Sequence, residues 1–152
     1  MAQEIERKFL VDCDHPEVRA LLATKPRYMR QGYIMSDKTG VVRVRIANDA
    51  AFLTIKGPSV GIARDEFEYP IPVADAEAML NTMCDAVLAK RRYYHPLAGG
   101  LMVELDVFEQ IDLVLAEVEL PDEQARFARP DWLVEEVSDD PQYFNNNIAA
   151  RI

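Results

Sequence analysis

Cysteine and histidine are scarce in this chain of 152 residues, which has two of each. Cys13 and Cys84 lie far apart and form no CxxC motif, so neither a disulfide framework nor a zinc site is expected. Both are interpreted as buried or partly buried thiols of a reducing compartment. His15 and His95 belong to no catalytic or metal-binding motif, and His95, beside Pro96 at a predicted strand end, is interpreted as a surface residue.

Long apolar segments are lacking as well. No stretch approaches the roughly 20 apolar residues that span a bilayer, and no basic N-terminal region precedes an apolar run as in a signal peptide. These absences predict a soluble, cytoplasmic protein without a membrane partner. Since 49% of the residues are apolar, the chain can build a sizeable core, and a single domain covering residues 1–152 is expected.

Positive charge is also in deficit, because 17 Lys and Arg stand against 26 Asp and Glu and give a formal net charge of −9. Nucleic acids and anionic membranes bind through an excess of exposed Lys and Arg, so neither is an expected partner. Alternate positions of a strand share one face, and a shared basic face suits a small polyanion. Seven bases occupy such positions in predicted strands: Lys8, Arg43, Arg45, Lys56, Arg64, Lys90 and Arg92.

The strongest positive pattern is the period-2 alternation of charged and apolar residues, which is typical of β-strands. Predicted strands cover residues 1–10, 27–36, 41–47, 52–56, 64–71, 86–95, 102–108 and 114–120. Predicted helices cover residues 16–23, 73–84, 122–128 and 143–150, with a partly extended, Trp-bearing segment at 130–137. Eight antiparallel strands joined by short connections predict a closed barrel, because closure removes exposed sheet edges. The predicted fold class is all-β dominated (α+β).

Two arrangements of this barrel are compatible with the alternation. If the apolar face lines the interior, the charges are exposed and the cavity suits a lipophilic ligand. If the charged face lines it, the interior is a hydrophilic tunnel whose apolar outer wall is covered by the helices. The apolar stripe formed by Val18, Leu21 and Leu22 needs a surface to bury against. The predicted helices therefore favour an eight-stranded tunnel with a charged interior, covered outside by a few helices.

Carboxylates lie on the first and last predicted strands, which become neighbours when the barrel closes. Glu4 and Glu6 share a face of the first strand with Lys8, and Glu117 and Glu119 share a face of the last. Four carboxylates brought together in a low-dielectric interior repel one another unless a cation lies among them. Since all four are hard oxygen ligands, Mg²⁺ or Mn²⁺ is expected. Metal on one wall and bases on the other suits a polyphosphate chain.

The segment 4–11, with Glu4, Glu6 and Lys8, resembles the ExExK motif that opens CYTH domains, the triphosphate tunnel metalloenzymes. The resemblance extends over essentially the whole chain, because further segments resemble the successive blocks of that family in the same order. These segments are 31–34, 42–45, 53–57, 64–68, 90–93, 104–108 and 116–120. Because eight sequence blocks follow the order found in the family, chance is a poor explanation of the match.

The resemblance implies a tunnel that binds a triphosphate with divalent metal and usually hydrolyses it. By position, Glu4, Glu6, Glu117 and Glu119 match the metal-binding acids of the family, with Asp106 as a weaker match. The residues that match its phosphate-binding bases are Arg43, Arg45, Lys56, Lys90 and Arg92, and the strand pattern adds Arg64 as a candidate. Lys8 and Tyr33 match a lysine and tyrosine that act near the attacking water.

Three functions stay open at this point. The leading one is hydrolysis of inorganic tripolyphosphate, since no segment beyond the tunnel would recognise a base or a thiamine ring. The second is a class IV type adenylate cyclase, or a nucleoside or thiamine triphosphatase, on the same scaffold. The third is a non-catalytic polyphosphate-binding module. The sequence also leaves open the oligomeric state, a homodimer included, and whether Lys8 acts as a base or as a charged clamp.

Overall fold

The computed structural model describes residues 3–152, and its centre is a closed antiparallel barrel. The strands are β1 (Gln3–Val11), β2 (Arg27–Asp37), β3 (Gly40–Ala47), β4 (Ala50–Lys56), β5 (Ala63–Ile71), β6 (Leu88–Pro96), β7 (Met102–Phe108), β8 (Val114–Glu119) and β9 (Leu133–Glu136). Around the barrel the order is β1-β5-β4-β3-β2-β6-β7-β8, and β8 pairs with β1 to close the ring. The prediction of an eight-stranded antiparallel barrel is confirmed.

Short helices and turns connect the strands. The helices are α1 (Pro16–Leu22), α2 (Val73–Thr82) and α3 (Asn145–Ala149), with 3₁₀ turns at Ala98–Gly100 and Pro141–Tyr143. The β3–β4 hairpin turns through Asn48, whose φ of 52° lies in the left-handed region that asparagine tolerates better than most residues. Along residues 3–152, no helix is long and apolar enough to cross a membrane.

The ninth strand extends the edge of β1. Residues 3–5 of β1 pair with β5, and residues 9–11 pair with β9 on the same edge after β5 has diverged. Within residues 130–137, predicted as partly extended, Leu133–Glu136 form this strand and continue the wall, so the prediction is confirmed. Trp132, the residue before β9, is 1% exposed and donates its indole N–H to Glu17 of α1 at 3.0 Å. This hydrogen bond connects α1 to this part of the barrel.

Two sequence predictions are wrong outside the barrel. Residues 122–128, predicted as a helix, form a turn and an irregular segment. The Asp122 carboxylate accepts a hydrogen bond from the backbone N–H of Gln124 at 2.9 Å, a local bond that competes with helix formation. The second error concerns Cys13, which is exposed, whereas Cys84 is partly buried as predicted.

The outer wall of the barrel is apolar and covered, as the tunnel arrangement requires. Val18 and Leu21 of α1 pack in one cluster with outward-facing residues such as Leu105. Ala76 and Leu80 of α2 pack in another with residues of β3 and β4. Because the apolar faces are buried from outside, the charged faces line the interior.

One end of the interior is closed by apolar packing. Ile148 and Ala149 of α3 pack there against side chains from the barrel. Four of the apolar residues in this cluster lie two positions from a charged interior residue of the same strand and so face inward: Leu10, Leu88, Phe108 and Leu115. The charged interior therefore ends beneath α3.

Candidate active site

The barrel interior is lined by polar and charged side chains from all eight strands. They are Glu4, Glu6 and Lys8 on β1; Arg27, Gln31 and Tyr33 on β2; Arg43 and Arg45 on β3; Thr54 and Lys56 on β4; Arg64, Glu66 and Glu68 on β5; Lys90, Arg92 and Tyr94 on β6; Glu104 and Asp106 on β7; and Glu117 and Glu119 on β8. Most acids lie on the arc β7-β8-β1-β5, and most bases lie on the opposite arc β4-β3-β2-β6.

Two connected cavities occupy this interior. The larger, of about 230 Å³, has sixteen lining residues, of which twelve are charged. The smaller, of about 50 Å³, lies towards α3 and is lined by residues that include Lys8, Tyr33 and Asn145. Six residues line both cavities: Glu6, Arg43, Arg45, Lys56, Arg92 and Glu117. The predicted bases and acids therefore surround one continuous space.

The register of β1 and β8 brings the predicted acids together. Glu6 lies opposite Glu119, and Lys8 lies opposite Glu117. Burial and the negative charges of Glu117 and Glu4 hold the pKa of Glu6 well above its usual range. The pKa of Glu117 is held well below its usual range despite burial, because Lys8 is nearby and the Glu6 carboxyl donates a hydrogen bond to it. Without a cation, this part of the interior holds the two carboxyl groups side by side only because Glu6 retains its proton.

Glu4 and Glu66 form a second coupled pair. The Glu4 carboxylate accepts a hydrogen bond from Lys56 Nζ at 2.7 Å. Burial would raise the pKa of Glu4, but Lys56 and a hydrogen bond from Glu66 lower it to about 2. Burial and the neighbouring Glu4 carboxylate raise the pKa of Glu66 to about 7. At neutral pH the two carboxyl groups share a proton for part of the time.

The stability of the metal-free protein should therefore depend on pH. Because the pKa of Glu66 is raised, the folded state binds its proton more tightly than the unfolded state does, and stability falls as pH rises. Between about pH 5 and 6.5, we expect the melting temperature in EDTA to fall with rising pH. Above that range Lys90, whose pKa is lowered to about 7, acts in the opposite direction. Glu66→Gln should make the slope smaller, the remainder coming from Glu6, whose raised pKa acts in the same direction, and an unchanged slope would contradict this assignment.

The donor set fits a hard divalent cation. Burial and the negative charges of Glu117 and Glu4 raise the pKa of Glu6, and a divalent cation among these oxygen ligands would compensate the charge that Glu6 carries once its proton is lost. Within residues 3–152, no three His, Cys, Asp or Glu side chains converge closely enough to form a metal site by themselves. Glu4 is paired with Lys56, and Glu119 lies exposed at the open end of the larger cavity. The residues predicted as ligands line a common space without forming a closed coordination shell.

The opposite arc has an excess of positive charge. Burial and the nearby guanidinium groups of Arg43 and Arg92 lower the pKa of Arg45 to about 9. Burial also lowers the pKa of Lys90 to about 7, against the opposing effect of Asp106. In the described part of the chain, the buried Nε of Arg43 has no hydrogen-bond partner. Closely packed cations with an unsatisfied donor indicate a site for an anion.

Both carboxylate oxygens of Asp106 accept hydrogen bonds from these bases. Its Oδ1 accepts from Arg92 Nε at 2.7 Å, and its Oδ2 accepts from Lys90 Nζ at 2.8 Å and from Arg92 Nη2 at 2.9 Å. The side chains of Asp106 and Lys90 are 1% and 0% exposed. The structure therefore places this weaker metal candidate among bases, where it orients two of them.

Lys8 and Tyr33 both line the smaller cavity. Lys8 Nζ donates to the backbone carbonyl of Tyr143 at 2.9 Å and lies 3.7 Å from a carboxylate oxygen of Glu117. Burial lowers the pKa of Lys8, but Glu117 and Glu6 more than offset this effect and raise it above its usual value. The Tyr33 hydroxyl accepts a hydrogen bond from Gln31 Nε2 at 3.0 Å. Lys8 and Tyr33 therefore lie in the same cavity, and hydrogen-bond acceptors surround the ammonium group of Lys8.

The remaining base, Arg64, also lines the smaller cavity. Its Nε and Nη2 donate to the carbonyl of Gly57 at 3.0 and 2.8 Å, so its guanidinium fixes the loop after β4.

Sequence reasoning missed several polar residues of this interior. Glu66, Glu68 and Glu104 line the larger cavity, and Gln31 and Thr54 bond to its arginines. All three acids lie on strand faces that the alternation marks as charged, because Glu66 and Glu68 follow Arg64 at alternate positions of β5 and Glu104 lies two positions before Asp106 on β7, but they were not named as site residues. The amide and hydroxyl carried no sequence signal, because neutral polar residues on a strand are common on any face.

An antiparallel barrel with an acidic arc facing a basic arc across its interior defines a class of protein, a tunnel that accommodates anions together with cations. The family model for the CYTH domain matches residues 2–151, and the chain belongs to this family. An inorganic triphosphatase of Acetivibrio thermocellus is 45% identical over 151 residues, covering 98% of this chain and 94% of that protein. An inorganic triphosphatase of Nitrosomonas europaea is 36% identical, with 98% of each chain covered.

A solved structure agrees with these sequence matches. The crystal structure of an inorganic triphosphatase superimposes with a TM-score of 0.66 at 33% identity, covering 100% of this chain and 97% of the other.

Proposed function

We propose that this protein is a divalent-metal-dependent inorganic triphosphatase that hydrolyses tripolyphosphate inside its barrel. The observation that carries the proposal is the arrangement of an acidic arc opposite a basic arc around one continuous cavity. Relatives at 45% and 36% identity are inorganic triphosphatases, and dependence on divalent metal is general among CYTH triphosphatases.

The proposed roles follow the two arcs. Glu4, Glu6, Glu117 and Glu119 would hold Mg²⁺ or Mn²⁺, which supplies charge neutralisation at the phosphoryl oxygens and a more acidic water. The bases that would bind the phosphoryl groups are Arg43, Arg45, Lys56, Lys90, Arg92 and Arg64. The contacts of Asp106 favour a role in orienting Lys90 and Arg92 over a role as metal ligand.

The shape of the interior favours an inorganic substrate over a nucleotide. The lining of the larger cavity is mostly charged, and the smaller cavity ends beneath α3. A nucleoside or thiamine would need an apolar surface for its ring, and a cyclase would need a ribose hydroxyl held in line with the phosphate. A protein that only binds polyphosphate could rely on its bases, so the clustered acids favour hydrolysis.

The proposal is tested by incubating the protein with tripolyphosphate, ATP or thiamine triphosphate in Mg²⁺, in Mn²⁺ and in EDTA. We expect phosphate release from tripolyphosphate with either metal and little release from the two organic triphosphates. Formation of a cyclic nucleotide would favour the cyclase. Tight tripolyphosphate binding without turnover under every condition would favour a binding module.

Lys8 is expected to act as a charged clamp, which means that it stays protonated and acts through its positive charge and not as a base. Its hydrogen bond to Tyr143 and its proximity to Glu117 and Glu6 stabilise the ammonium form. Lys8→Met should lower kcat by about 10–100-fold, the loss expected for one charge-assisted hydrogen bond. Lys8→Arg, which keeps the charge, should retain most of the activity. If Lys8→Arg is as inactive as Lys8→Met while substrate affinity is preserved, Lys8 is the base and the clamp is wrong.

A further inference from the structure

Arg45 differs in its partner from Arg43 and Arg92, the two arginines nearest to it in the larger cavity. Arg92 donates to carboxylate oxygens of Asp106 and Glu104 at 2.7 and 2.9 Å, and Arg43 lies 3.6 Å from Glu68. Arg45 Nε instead donates to the neutral amide oxygen of Gln31 at 2.8 Å. Among the salt bridges of residues 3–152, none includes Arg45.

The Gln31 amide is fully buried, and both of its ends are used. Its Nε2 donates to the Tyr33 hydroxyl at 3.0 Å and to Asn145 Oδ1 at 3.3 Å. Asn145 Oδ1 also accepts from Lys90 Nζ at 2.8 Å. Since a guanidinium has no acceptor, the amide oxygen must face Arg45. The orientation of Gln31 is therefore fixed by its neighbours.

A carboxylate at this position would have a different effect. Glutamate could accept from Arg45, but it would neutralise the guanidinium and could not donate to Asn145. An apolar residue would leave Arg45 without an orienting partner. The amide meets both requirements, because it fixes the direction of Arg45 Nε and leaves the full positive charge in the cavity.

We propose that Gln31 is a positioning residue that orients Arg45 towards the substrate without neutralising its charge. The inference rests on the proposed role of Arg45 in phosphate binding. It implies that the charge of Arg45 lowers the stability of the folded protein, since Arg45 lies near the cations Arg43 and Arg92, and that the same charge raises the affinity for anions. A carboxylate at position 31 would relieve this repulsion and also weaken the anion site.

The test compares Gln31→Glu and Gln31→Met with Gln124→Glu, an exposed control that changes the net charge equally. The melting temperature and the tripolyphosphate affinity are measured in EDTA, by scanning and titration calorimetry. Gln31→Glu should raise the melting temperature and weaken binding by about 10–100-fold, the equivalent of one charge-assisted interaction. Gln31→Met should lower the melting temperature and weaken binding less. Gln124→Glu should change neither.

A Gln31→Glu protein that is less stable than the wild type, or fails to fold, would overturn the proposal, and so would unchanged affinity. A purely structural role would lower stability and binding together in both variants. Because binding is measured without metal or turnover, a wild-type protein that binds tripolyphosphate but does not hydrolyse it would contradict the proposed function and leave this test valid.

Discussion

Glu6→Gln is expected to abolish tripolyphosphate hydrolysis and, at the same time, to raise the melting temperature of the metal-free protein. Burial and the negative charges of the neighbouring Glu117 and Glu4 raise the pKa of the Glu6 carboxyl. Its ionised form is therefore unfavourable without a cation, and folding at neutral pH must protonate it, a cost that a neutral amide does not have. If Glu6 is a direct metal ligand, as proposed, its loss should lower activity by more than about 100-fold, since changes in outer-shell groups alone cost about 10–100-fold.

Glu4→Gln is the matched variant. It should lose activity to a similar extent, but its metal-free melting temperature should fall. Lys56 stabilises the ionised Glu4 through a 2.7 Å hydrogen bond and lowers its pKa to about 2, so the amide loses a favourable ion pair. Calorimetric scans in EDTA, together with phosphate release in Mg²⁺, measure both effects. If both variants are destabilised, or if Glu6→Gln keeps its activity, the assignment of the acidic arc to metal binding is wrong.

Asp106→Asn should have the largest effect on folding. Removing one member of a buried ion pair leaves an uncompensated charge and typically costs about 3–5 kcal/mol. Here the loss affects two bases at once, because Lys90 and Arg92 both donate to Asp106. Urea unfolding in EDTA should show this decrease, whereas Asp112→Asn, an exposed control, should change the free energy of unfolding little.

The same variant separates the two roles considered for Asp106. If it orients bases, tripolyphosphate should restore part of the lost stability, because the anion compensates the freed cations, and the affinity for Mg²⁺ should change little. If it is a metal ligand, Mg²⁺ affinity should fall at least as much as stability does. Titration calorimetry with Mg²⁺, and thermal scans with and without tripolyphosphate, distinguish these outcomes.

Much of the barrel could be predicted from the sequence, because strand periodicity is a local property. The alternation in residues 41–47 places Arg43 and Arg45 on one face and Val44 on the other whatever the strand pairs with. Over residues 3–152 the predicted strand ranges agree with the structure to within a few residues, and the first two residues of the strand predicted at 1–10 lie outside the described part. The meeting of Glu4 and Glu6 with Glu117 and Glu119 also followed, because closure makes the first and last strands neighbours.

Local patterns failed where the outcome depended on distant neighbours. Residues 122–128 have a helix-compatible composition, but they form a turn and an irregular segment, and Phe127 packs edge to face on Phe9 with ring centroids 6.2 Å apart. The extended segment at 130–137 was visible in the sequence, yet its pairing with β1 was not. That pairing requires β5 to diverge from β1 after Ile5.

The sequence by itself determined which residue types face the interior, and from these the resemblance to CYTH domains. Only the tertiary structure decided which charge each residue meets: Asp106 with Lys90 and Arg92, and Arg45 with the Gln31 amide. The physical reason is register. Partners across a barrel lie on strands distant in sequence, and Coulomb and hydrogen-bond energies depend on separations of a few ångströms that no local pattern specifies.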